Sequence, residues 1–182
     1  MGSDGKMLVR FWGVRGSYPV PGPSTARYGG NTPCVEIQAN GHYLILDAGT
    51  GIIGLGKKLM QEVPRSSNNG VVKAVLLITH THHDHIQGLP FFLPAHSGKG
   101  MLYIFGPAGV TGEFEDTLAN AMLPPYSPVR LDEMRSVKVI RSLHESQAIV
   151  LSEDRPEPWV YNVYHDEEPT GERQVLIRVM RS

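Results

Sequence analysis

Residues 71–78, Val-Val-Lys-Ala-Val-Leu-Leu-Ile, form a nearly continuous apolar, β-branched run that ends directly in Thr79-His80-Thr81-His82-His83-Asp84-His85. A strand of this composition is expected to be buried on both faces. It also delivers a dense set of imidazoles and a carboxylate to its carboxyl end, where open α/β sheets collect their ligands. The fold must therefore be layered around this strand, with a polar cluster at its exit.

The flanking pattern agrees. Residues 7–13 read as a strand, followed by a Gly/Pro-rich loop over 14–33, long enough to suggest a functional role. Residues 34–39 and 42–47 flank Asn40-Gly41, the strongest short-range hairpin signal because both turn residues need positive φ. Ile52, Leu55, Leu59 and Met60 fall at helical spacing within 51–63. A polar connection over 64–70 leads into the buried strand. A short helix after the histidines is expected to break at Pro90 and Pro94. A strand over 101–105 follows, then an amphipathic helix marked by Val110, Phe114, Leu118, Ala121 and Met122 and ended by the prolines of 124–128. Strands are expected over 137–143, 148–151, 159–164 and 174–180, with a turn at 169–171. Alternation of strands and helices with added hairpins predicts α/β or α+β layers.

Composition narrows the class. With 182 residues, 41% of them hydrophobic and 19% charged, the chain fits one domain and excludes disorder and coiled-coil architectures. A formal net charge of -1 offers no signal for a dedicated nucleic-acid or membrane-surface binder. Apolar runs fall short of the roughly 18 residues a membrane span needs. One cysteine, Cys34, cannot form an internal bridge, which favours a reducing, cytoplasmic setting. Residues 1–6 read as a leader, with Met7 as the native start and the domain running over 7–182.

Four of the eight histidines, His80, His82, His83 and His85, lie together around Asp84. In an extended loop, residues two apart share a side, so His80 and His82 can grip one ion. Asp84 and His85 then face another way and can serve a second. Imidazole and carboxylate without thiolate suit zinc, with manganese or iron as alternatives. His83, His42 and His96 read as surface histidines.

Thr79-His80-Thr81-His82-His83-Asp84-His85 resembles the His-x-His-x-Asp-His signature of the metallo-β-lactamase superfamily. Residues 11–17 (Phe-Trp-Gly-Val-Arg-Gly-Ser), 28–32 (Tyr-Gly-Gly-Asn-Thr) and 46–51 (Leu-Asp-Ala-Gly-Thr-Gly) are similar to its phosphodiesterase-like branch. That branch includes the cyclic phosphodiesterase of phosphonate breakdown and tRNA 3′-processing endonucleases. The resemblance implies an αββα sandwich and a hydrolase of phosphodiesters that uses a metal-bound hydroxide. It implies two divalent metal ions on His80, His82, Asp84 and His85, with Asp84 catalytic. Asp47 matches an aspartate that stands behind the ligands and fixes a histidine through its other N–H. Arg15 and Asn31 are candidates for binding a substrate phosphate, and the substrate is expected to be a small phosphodiester or nucleotide-like molecule.

The superfamily site needs three further ligands: a histidine, a bridging aspartate and a final histidine. His144, His165, Asp154 and Asp166 are the available residues, and His144-Glu145-Ser146 reads as a hairpin tip. The simpler expectation is that the chain holds the N-terminal portion of the sandwich. That would leave a sheet edge and face for another chain, such as a second copy in a homodimer, to cover. Two other readings remain open. The chain could be a non-catalytic fragment or interaction module that keeps the fold. Alternatively, Gly49-Thr50-Gly51-Ile52-Ile53-Gly54 could bind a nucleotide cofactor as a G-x-G-x-x-G fingerprint. The expected acid at the end of the next strand is missing, and close packing of the helix on the histidine loop accounts for these glycines better.

Overall fold

The computed structural model describes residues 7–62, 70–108, 112–171 and 174–179. The leader over 1–6 and the helical position at Val110 lie outside the described residues.

The hairpin at Asn40-Gly41 forms as the sequence predicts, with φ of 47° and 77° at the two turn residues. It joins β2 (Cys34–Ala39) to β3 (His42–Leu46), and β1 (Leu8–Gly13) pairs antiparallel to β2. From β3 onward the sheet is parallel: β3 pairs with β4 (Val72–Leu77), β4 with β5 (Gly100–Pro107) and β5 with β6 (Val137–Leu143). The six strands lie in sequence order.

That order decides the layers. Parallel neighbours need right-handed crossovers, and three crossovers stepping in one direction all fall on the same face of the sheet. They carry α1 (Gly51–Glu62), the pair α2 (His83–Ile86) and α3 (Leu93–His96), and α4 (Phe114–Ala121). Ile45, Ala74, Leu76, Leu102 and Ile104 face these helices and pack with Ile52, Leu55, Phe92, Phe114 and Leu118. Alternate residues, Leu44, Val75, Tyr103 and Phe105, face the other way. There they meet Ile149 and Leu151 of β7 (Gln147–Ser152), with Val160 of β8 (Arg155–Asn162) and Ile177 of β9 (Val175–Arg178) beside them. These three strands form a separate antiparallel sheet in the order β8-β7-β9. The helical layer and the two sheets give an αββ arrangement among the described residues, three of the four layers of the expected αββα sandwich. On the outer face of the small sheet, Ala148 and Val150 are buried, while Trp159 and Leu176, opposite Val150 in the register, remain partly exposed.

Two local expectations change. Pro94 does not break a helix: it occupies the first turn of α3, where a missing N–H costs nothing. His144 is not a hairpin tip, because β6 and β7 belong to different sheets and the turn between them is the crossover from one to the other. Among the described residues no helix is long and apolar enough to cross a membrane.

The free side of the antiparallel edge is held by one buried acid. Glu36 of β2 has no exposed side-chain surface and accepts from Arg10 Nη1 at 3.0 Å, Trp12 Nε1 at 2.8 Å and Lys58 Nζ at 2.6 Å, with Gln38 as a further donor. It thereby ties β1, β2 and α1 together. Burial alone would raise its carboxyl pKa, but the Lys58, Trp12 and Gln38 hydrogen bonds together outweigh burial and hold it below the ordinary value. Such a group stabilises the fold fully above its unfolded pKa, and the contribution fades as pH falls through the folded one. Glu36→Gln should therefore cost about 1–3 kcal/mol at neutral pH. In urea unfolding the gap to wild type should narrow in acid; a gap that widens there would contradict this role.

Candidate metal centre

The site is assembled where β3 and β4 end side by side. Asp47 follows β3 with φ of 64°, a left-handed conformation that Asp tolerates better than most residues. Its N–H continues the parallel ladder to Leu77 O at 2.9 Å. Its carboxylate reaches across to the histidine segment. Oδ1 accepts from the Thr79 N–H at 2.8 Å and from the Thr79 hydroxyl at 2.9 Å, and Oδ2 lies 2.8 Å from His85 Nδ1. Backbone bonds knit the same two segments: Ala48 N–H donates to His85 O at 2.7 Å, and Gly88 N–H to Ala48 O at 2.8 Å. Gly49 makes this approach possible, since a Cβ there would stand 2.4 Å from Asp84 O. A Cβ on Gly51 would meet the Trp12 backbone at 2.7 Å. These glycines of the G-x-G-x-x-G stretch serve close packing of the chain on itself.

The hydrogen bonds set the histidine tautomers. An ionised carboxylate only accepts, so His85 Nδ1 carries a proton toward Asp47. The Thr79 hydroxyl donates to Asp47 and so accepts from His80 Nδ1, 3.0 Å away. His80 Nε2 is then a lone pair, and it accepts from His82 Nδ1 at 3.1 Å. Partial burial, with His85 and His82 beside it, holds the His80 imidazole below its ordinary pKa. Asp84 Oδ2 lies 3.4 Å from His85 Nε2 and accepts the Ser17 N–H at 2.8 Å. Burial pushes the Asp84 carboxyl up, but the Ser17 N–H and nearby His85 outweigh it and keep the pKa low.

The spacing argument holds for His80 and His82, whose ring centroids are 4.6 Å apart. It fails for His85. Because α2 begins at His83, the chain curls and brings the His85 ring to 4.0 Å from His80, on the same side. The four residues therefore form one compact cluster instead of two groups facing apart. His83 is exposed and lines a different groove with Ile86, Leu118 and Met122. His96 and His42 are half-buried instead of lying at the surface: His96 Nε2 bonds to Pro90 O at 2.8 Å, and burial lowers the pKa of His42. Asn31 is engaged within its own loop, accepting from Thr50 Oγ1 at 3.3 Å, while Arg15 is exposed. Thr79 and Ser17 were not singled out by sequence, although both contact the cluster.

Beside Thr79, a cleft of about 1010 Å³ opens between the two sheets. Leu46, Leu77, Phe105 and Ile177 line its floor, and His144, Tyr164 and Arg178 also contribute. Asp154 lies in the β7–β8 turn, and Asp166 accepts the Asn162 N–H at 2.7 Å beyond β8 with His165 beside it. In donor chemistry the cluster fits a zinc-like ion: neutral imidazole nitrogens and a carboxylate. His85 Nε2 and Asp84 Oδ2, 3.4 Å apart, are a pair that either a shared cation or a proton on Nε2 would satisfy. As they stand, the side chains close on one another. Among the described residues no group of three or more His, Cys, Asp or Glu is disposed to hold a metal ion.

Fold and strand-end cluster together define a metallo-β-lactamase-type fold. The chain belongs to the beta-lactamase superfamily domain family, whose model matches residues 42–161. It is 30% identical over 149 residues to ribonuclease Z of Haloarcula marismortui, covering 79% of this chain and 43% of that protein. Ribonuclease Z of Natronomonas pharaonis is 27% identical over 137 residues, covering 74% and 40% respectively. The chain thus spans less than half the length of these relatives. Among solved structures, the short form of human tRNase Z aligns with a TM-score of 0.45 at 25% identity over 74% of this chain and 44% of that one. A diphosphatase of the PhnP family aligns with a TM-score of 0.46 at 17% identity over 78% and 53%.

The tautomer assignment is open to measurement. In histidine-selective ¹⁵N NMR of the metal-free protein at neutral pH, His80 and His85 should both be Nδ1–H forms. Asp47→Ala should release His85 from that constraint, and an unprotonated Nδ1 at His85 in the wild type would contradict the assignment.

Proposed function

We propose that this chain belongs to a metal-dependent phosphodiester hydrolase with His80, His82, Asp84 and His85 as metal-holding residues. The observation that carries this reading is the Asp47–Thr79 clasp. It holds a proton on Nδ1 of His80 and of His85, so that Nε2 of each ring is the atom turned away from the clasp, with His85 Nε2 3.4 Å from Asp84 Oδ2. Such outer hydrogen bonds orient ligand histidines and raise their basicity. Bound divalent ions, zinc first and manganese or iron next, would supply a nucleophile by acidifying water and would neutralise charge on the phosphate. The chain's own residues act around that chemistry. Asp47 holds His85 by its Nδ1–H, Ser17 N–H keeps the Asp84 carboxylate turned toward His85, and exposed Arg15 is available to a substrate phosphate. The ribonuclease Z relatives favour a nucleic-acid phosphodiester over the small substrate expected from the family resemblance. A cytoplasmic setting agrees with the single, buried cysteine.

A second reading, a non-catalytic module of the same fold, is supported by the lack of a three-residue metal-holding group among the described residues. Activity separates the two. The full-length protein should cleave an aryl phosphodiester with added manganese or zinc, and chelation should abolish the rate. His82→Ala should lower it to background, and a variant with full rate would remove the metal assignment. A chromogenic β-lactam should be turned over poorly; efficient β-lactam hydrolysis without phosphodiester cleavage would overturn the substrate class.

A further inference from the structure

Between Asp4 and Glu36 the chain carries no acidic residue, whereas Lys6, Arg10, Arg15 and Arg27 fall in that stretch. In a chain of net charge -1, this is a marked segregation of sign. Arg10 is paired with Glu36. Arg15 and Arg27, by contrast, project from the loop over 14–33, and both are exposed. The same loop exposes two aromatic plates: Tyr18 is 63% and Tyr28 72% exposed. Rings this open present their faces to a stacking partner.

The loop is built to hold these groups in place. Val14 and Arg15 N–H groups both donate to Asn31 O, and Val20 N–H donates to Gly30 O at 2.9 Å. Thr32 and Thr50 exchange reciprocal bonds, Thr32 N–H to Thr50 Oγ1 at 2.9 Å and Thr50 N–H to Thr32 Oγ1 at 2.7 Å, fastening the loop's end to the start of α1. The Arg27 guanidinium lies 5.0 Å over the Tyr28 ring, which steadies both side chains. The loop also touches the cluster: Ser17, immediately before Tyr18, donates its N–H to Asp84.

We propose that Arg15, Tyr18, Arg27 and Tyr28 form a binding surface for an unpaired polynucleotide strand, leading its backbone toward the His80–Asp84 cluster. Exposed rings offer stacking to the faces of unpaired bases, and arginines in a stretch of sequence free of acids meet the phosphates. A duplex keeps its base faces stacked inside and cannot use the tyrosines. The inference deepens the phosphodiester reading and rests on it for the fate of the strand, but strand binding can be measured without turnover.

The test is fluorescence anisotropy of the protein with a labelled single-stranded RNA dodecamer of mixed sequence, in chelator, against a fully paired duplex of the same length. The single strand should bind more tightly. Tyr18→Ala and Tyr28→Ala should each weaken binding by about 5- to 100-fold, and Tyr28→Phe should retain it. Arg27→Gln should reduce the slope of log affinity against log salt by about 0.7, the effect of one lost phosphate contact. Circular dichroism melting curves unchanged from wild type would show that the alanine variants fold. The proposal is overturned by wild-type affinity in both tyrosine variants, by duplex binding equal to single-strand binding, or by no binding at all. Strand binding without aryl phosphodiester turnover would sink only the hydrolase reading. Turnover without strand binding would sink only this one.

Discussion

The Asp47 carboxylate is the contact on which the rest of the site hangs. It joins the end of β3 to a Thr79 that is 32 positions away in sequence, and through Thr79 and His85 it orients two imidazoles. A residue in the left-handed conformation turns its side chain back over the strand end, where an extended residue would continue along it. Because one oxygen takes two Thr79 donors and the other faces His85, the carboxylate is well satisfied despite burial, as a buried charge must be. The clasp also explains why close backbone approach is tolerated at Gly49: the histidine turn is drawn in against it from the other side.

The layers follow from topology in a comparable way. Sequential parallel strands with right-handed crossovers place every helix on one face of the large sheet, leaving the opposite apolar face to be covered by other means. The last three strands meet that need, with Ile149 and Leu151 filling the space over Leu44, Val75 and Phe105. The strand ends then open onto a cleft between the sheets, which Thr79, next to His80, helps to line. Concavity of this kind is where substrate recognition is ordinarily built.

Charge is distributed by function more than by total. A balanced sum conceals an acid-free N-terminal stretch and a single buried glutamate that gathers Arg10 and Lys58 at the sheet edge. Net charge reports on the whole surface, whereas a substrate meets only the part beside the site. A balanced total is therefore compatible with a locally basic surface on the loop over 14–33.

The sequence by itself determined the elements. Period-two apolar runs, the Asn40-Gly41 turn and helical spacing in α1 are local properties, and each survives into the structure with only small shifts of boundary. It also marked the candidate residues, because imidazole and carboxylate spacing within one short segment is visible without a fold. Only the tertiary structure decided what depends on contacts distant in sequence. Pro94 became a helix start, His144 became a crossover between sheets, and His85 turned back onto His80 because α2 begins at His83. The partnerships of Asp47 with Thr79, of Ser17 with Asp84 and of Glu36 with Lys58 link segments that no local pattern connects. Periodicity specifies which side a residue takes along its own element; which partner waits on that side is set by how the elements pack.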